Sequence, residues 1–79
     1  MPHYHFNLHN SLGFVPDEEG RDLADLGTAR AVGIDETRSI LAEEVRAGRL
    51  DMVGRIEIVD QDGRSLLTIP FSEVIEIIR

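Results

Sequence analysis

Seventy-nine residues make one domain, 1–79, and a chain this short hides only about 60–65% of its unfolded surface on folding, so self-association would add a useful margin of stability. The absence of cysteine excludes disulfides and thiolate metal sites, while an apolar fraction of 42% excludes a disordered chain. A formal charge of −7, from fifteen acidic and eight basic residues, repels phosphate backbones and anionic bilayers, so neither nucleic acid nor a membrane is expected as partner.

The start, Met1-Pro2-His3-Tyr4-His5, lacks the basic leader and apolar stretch of a signal peptide, and a cytoplasmic location is expected. Residues 3 to 9 alternate strictly. Tyr4, Phe6 and Leu8 fall on one side and His3, His5, Asn7 and His9 on the other, the period of a half-buried strand. Asn10-Ser11 offers a turn, and Leu12 to Val15 is a short second run that Pro16 ends, giving an antiparallel hairpin. Asp17-Glu18-Glu19-Gly20 reads as a turn, and Asp25 as the N-cap of the one long helix.

From Leu26, the residues Ala29, Gly33, Ile34, Thr37, Ile40, Leu41 and Val45 share one stripe at helical spacing, and Ala47-Gly48 should close the helix. Arg30 and Glu44 interrupt the stripe near its ends. Gly33 costs about 1 kcal/mol relative to alanine in a helix interior, which a close approach of helix to sheet would explain.

Arg55–Asp60 and Ser65–Ile69 flank Gln61-Asp62-Gly63-Arg64, and Asp-Gly is the favoured pair for a two-residue turn. With Asp62-Gly63 at the tip, Ile56, Ile58, Leu67 and Ile69 face the helix, and Val59 and Leu66 form a cross-strand pair on the other face. After Pro70, the spacing of Phe71, Val74, Ile75 and Ile78 behind Ser72 predicts a short helical tail. The β-branched residues from Val74 to Ile78 suit a fifth strand instead. The fold class is therefore α+β in the order ββαββ, with about four antiparallel strands and one helix on one face.

Tyr4-His5-Phe6, Asp17-Glu18-Glu19-Gly20 before Asp25-Leu26 and Ala29-Arg30, and Gly54-Arg55-Ile56-Glu57 through Gly63-Arg64 to Pro70-Phe71 together resemble a domain-of-unknown-function family of short, stand-alone bacterial proteins. The resemblance spans nearly the whole chain and implies the same layout, with no activity attached. Gly33 and the tail from Val74 to Arg79 depart from the pattern. In outline the topology is also similar to HicB-type antitoxin domains, which implies a toxin-like partner; their DNA-binding extension is missing.

Few residues carry chemistry. His3 and His5 would project about 6.8 Å apart, close enough to chelate one zinc or nickel ion with a third ligand such as Asp17 or Glu18, whereas His9 lies about 20 Å from His3. A solvated strand face accounts for the same residues. Asp17, Glu18, Glu19, Asp22 and Asp25 lack the alternating order of a calcium loop and complement a helix N-terminus. Ser11 near His9 and Ser65 beside Asp60 are the only pairings that suggest a nucleophile, and both sit at turns where serine is common. No enzyme activity and no cofactor are expected. The expectation is an interaction or self-association module with surplus apolar surface at Val59, Leu66, Val74, Ile75, Ile77 and Ile78, with metal binding or an antitoxin-like role as alternatives.

Overall fold

Strict alternation in the first ten residues produces β1, His3–Asn10, whose Tyr4 and Phe6 are buried under the helix. A computed structural model describes residues 1–79, in the order β1, β2 (Gly13–Val15), β3 (Arg21–Asp22), α1 (Leu26–Arg46), β4 (Arg55–Asp60), β5 (Ser65–Pro70) and a 3-10 turn, Phe71–Glu73. All strand pairings are antiparallel, in the order β2-β1-β4-β5, with β3 also paired to β1. The α+β, hairpin-helix-hairpin layout stands, with β3 added. Arg21-Asp22 carries no strand signal of its own; it pairs because the chain from Gly13 to Asp22 runs back along β1, leaving it only at Pro16–Gly20.

The helix is bounded as its caps require. Asp25 accepts a hydrogen bond from the Thr28 amide at 2.7 Å, which satisfies an otherwise orphaned donor. At the other end Gly48 adopts φ +87°, while the Gly48 and Arg49 amides donate to the carbonyls of Val45 and Glu44 in a Schellman closure. The buried ridge is Ala29, Gly33, Thr37 and Leu41, one residue per turn and mostly small. A Cβ on Gly33 would meet Ile69 Cδ1 at 3.0 Å and Ile58 Cδ1 at 3.4 Å, so its hydrogen lets helix and sheet touch. Thr37 hides its hydroxyl by donating to the Gly33 carbonyl at 2.7 Å. Leu26 and Val45, at the ends of the stripe, lie outside the core, and Arg30 is exposed.

The second hairpin corrects one expectation. Only Gly63 has positive φ in the turn, so the tip is a type I turn on Gln61-Asp62 followed by a left-handed glycine, not a two-residue Asp62-Gly63 turn. A three-residue loop moves the register by one: Val59 lies opposite Ser65. Ile58 nonetheless faces Leu67 and Ile56 faces Ile69, because Leu66 is an extra, bulged residue that restores the pairing which buries the isoleucines. Val59 and Leu66 are thus not a cross-strand pair, and Val59 is 7% exposed.

The tail is helical for a single 3-10 turn, and no fifth strand forms through Val74 to Ile78. Its 3-10 turn starts at Phe71 with Pro70 as cap residue, and Ser72 caps nothing. Phe71 and Val74 belong to the core, with Ile58, Ile69 and Leu41. The Phe71 amide donates to the Gly54 carbonyl at 2.9 Å, and a Cβ on Gly54 would strike the Phe71 ring. Arg38 Nε donates to the Val74 carbonyl at 2.8 Å, pinning the tail to the helix. No helix is long and apolar enough to cross a membrane.

Candidate functional site

The outer edge of β1 holds the densest polar constellation of the molecule. Between β2 and β3 the segment Pro16–Gly20 forms a strap that replaces strand pairing with side-chain bonds. Asp17 is its hub: Oδ2 accepts from the Phe6 amide at 3.0 Å, Oδ1 accepts from the Gly20 amide at 3.1 Å, and its own amide donates to Asn7 Oδ1 at 2.9 Å. His5 Nδ1 donates to the Asp17 carbonyl at 2.6 Å, and His3 bonds the Glu19 carbonyl through Nε2 at 2.8 Å and Asp22 Oδ1 through Nδ1 at 2.7 Å. The bond to Asp22, then that to the Glu19 carbonyl, raises the His3 pKa. Gly20, at φ +67°, sits where a Cβ would meet the Tyr4 carbonyl at 2.6 Å, His3 Nε2 at 2.7 Å and His5 Nδ1 at 2.9 Å.

His3 and His5 do come together, their ring centroids 5.0 Å apart and edge to face. Both nitrogens of His3 are already bonded within the chain, and no group of three acidic or histidine side chains is placed to hold a metal ion. A metal at His3 would have to displace Asp22 or the Glu19 carbonyl. His9 is occupied elsewhere, by Glu57 Oε1 at 3.1 Å, a bond that lowers the Glu57 pKa with help from Ser65.

On the helix face the strap walls a cleft of about 240 Å³. Its floor is Phe6, Leu8 and Ile56, its far wall Ile40 and Glu36, and its near wall Val15, Pro16, Asp17 and Arg21. Arg21 bridges the mouth, with Nη2 2.5 Å from Glu36 Oε1 and its guanidinium 5.3 Å from the Phe6 ring centre. The cleft opens onto β2, which forms one edge of the sheet, with Phe14 and Val15 more than half exposed.

A second polar hub closes one end of the molecule. Asp51, 6% exposed, accepts from the Ser11 hydroxyl at 2.5 Å and the Ser11 amide at 3.2 Å, and its amide donates to Glu44 Oε1 at 3.1 Å. The Ser11 hydroxyl bond chiefly holds the Asp51 pKa low. Ser11 therefore bonds Asp51, not His9. Glu44, which breaks the helix stripe, has its partner here.

The surplus apolar surface is distributed differently from its sequence reading. Val74 is 2% exposed and Val59 is buried, so both are spent inside the chain. Ile75 is half-buried, Leu66 is the bulged residue, and only Ile77 and Ile78 stand well out. The larger exposed group is Leu12, Phe14 and Val15, on a short run before a proline whose sequence marks the end of a hairpin rather than a sheet edge. Asp17 carried one signal, an acid three residues before a glycine; Asp51 carried none.

A family model for a domain of unknown function, DUF6894, matches residues 3–72. The chain belongs to the DUF6894 family. The matched span runs from the first residue of β1 into the 3-10 turn, and so covers the strap, both hairpins and the helix of this DUF6894 domain. No curated protein and no solved structure matches it.

Proposed function

We propose that this DUF6894 chain is a non-enzymatic interaction module that receives an apolar strand, from a second copy of itself or from another protein, at the β2 edge and the adjoining cleft. The asymmetry of the two sheet edges carries the reading. β5 is blunted by the Leu66 bulge and ends in Pro70, devices that discourage strand addition. β2 is short and followed by Pro16, but the side chains it presents are apolar and open: Phe14 and Val15 are 53% and 55% exposed, and Val15 continues into the wall of the cleft. The bonding of the serines and histidines supports the non-enzymatic half, because Ser11 donates to Asp51, a carboxylate held in its weakly basic, low-pKa form, and His9 is held by Glu57, so neither histidine base nor serine nucleophile faces the other.

Light scattering on the intact chain across a range of concentrations tests this, with Val15→Lys as control and the chain as bait in a lysate. The reading expects association, with itself or a captured protein, that Val15→Lys weakens at least tenfold, the order of magnitude of one buried valine. A strict monomer whose captured proteins bind Val15→Lys equally well would overturn it.

A further inference from the structure

We propose that His3 is a doubly protonated clamp that holds the Pro16–Gly20 strap closed along β1, and that its deprotonation opens this edge, which makes the interface pH-controlled; the control of binding rests on the function proposed above, the clamp itself does not. The geometry is decisive about protons. Nδ1 of His3 faces a carboxylate oxygen of Asp22 at 2.7 Å and Nε2 faces the carbonyl oxygen of Glu19 at 2.8 Å. Neither oxygen can donate, so both bonds exist together only when both ring nitrogens carry hydrogen. A neutral ring would set a lone pair against one of the two. His5 differs: its bond from Nδ1 to the Asp17 carbonyl, at 2.6 Å, needs a single proton and survives in the neutral ring.

The surroundings favour the charged form. β3 contributes Asp22, the strap contributes Asp17 and the Glu19 carbonyl, and β1 contributes His5 on the same face. β4 places uncharged Val59 opposite His5, while Asp60 lies opposite Tyr4 and is turned into its own loop amides, and the helix packs on the other face. The raised pKa of His3 agrees with this. A histidine whose folded pKa lies above its unfolded value of about 6.5 contributes fully below that value and loses its contribution as pH rises through the folded value. Opening would free the Phe6 amide, which Asp17 Oδ2 now holds at 3.0 Å, and would release Asp17 and Arg21 from the cleft wall.

Ring-nitrogen NMR and amide exchange on the intact chain between pH 5.5 and 9 test the clamp. His3 should keep both protons above the ordinary histidine midpoint. Phe6 protection, corrected for intrinsic exchange, should fall about tenfold for each unit of that excess, because one pKa unit is a tenfold preference for the closed form. Asp22→Asn should lower the midpoint, and His3→Gln should abolish the pH step with an otherwise unchanged backbone spectrum. An ordinary His3 midpoint, or Phe6 protection that ignores it, overturns the clamp. Light scattering at pH 6 and pH 8.5 separates the two ideas: no association at either pH counts against the interaction reading alone, whereas association equal at both, with the clamp titrating, overturns the pH control.

Discussion

A hydrogen atom in place of a side chain decides two sites in this chain. At Gly33 the neighbours of an added Cβ are the flexible ends of Ile69 and Ile58, which can give by tenths of an ångström. At Gly20 they are a backbone carbonyl and two bonded imidazoles, and φ is positive. The two alanine substitutions should therefore differ in kind. Gly33→Ala sets overpacking of about 1–3 kcal/mol against about 1 kcal/mol gained in helix propensity, for a small net loss in urea unfolding. Gly20→Ala should break the His3 and His5 bonds and expose the Phe6 amide to exchange while the helix stays folded. Of the two, Gly33 was legible from its place in the stripe. Gly20 was legible only as turn composition, since nothing in the order of residues says that two histidines fifteen and seventeen positions earlier will close on it.

Among the elements, those with a period were readable and those made by tertiary fit were not. β1, α1 and the two strands of the second hairpin follow from alternation, a capping aspartate and a glycine stop. β3 and the bulge at Leu66 do not, because one is held by β1 and the other reconciles a turn-set register with a core-set one. The tail keeps only one 3-10 turn of its expected helix for a similar reason: burying Phe71 and Val74 against the sheet uses the two residues whose spacing suggested more. Phe71→Ala should cost about 3–5 kcal/mol in chemical denaturation, the range for deleting a fully buried ring. Removal of residues 76–79 should change stability by less than about 0.5 kcal/mol, since Ile77 and Ile78 are exposed and lie beyond the core contact at Val74.

For the whole molecule, one helix covers a sheet wider than itself. It packs mainly on β4 and β5, with Tyr4 and Phe6 of β1 reaching beneath it, so the outer part of β1 and β2 is left to a cleft, a strap and a bare edge. The DUF6894 match covers the strap and that edge and stops at residue 72, which places the exposed isoleucines of the tail outside the shared domain. We therefore propose binding at the β2 side rather than at the tail. Backbone NMR on the chain as it is concentrated, or as the lysate-captured protein is added, tests that assignment most directly. Shifts and exchange protection confined to Gly13–Asp17, with Glu36 and Ile40 across the cleft, are the predicted result. Protection confined to Ile75–Arg79 or to β5, with Phe14 and Val15 unmoved, would contradict it.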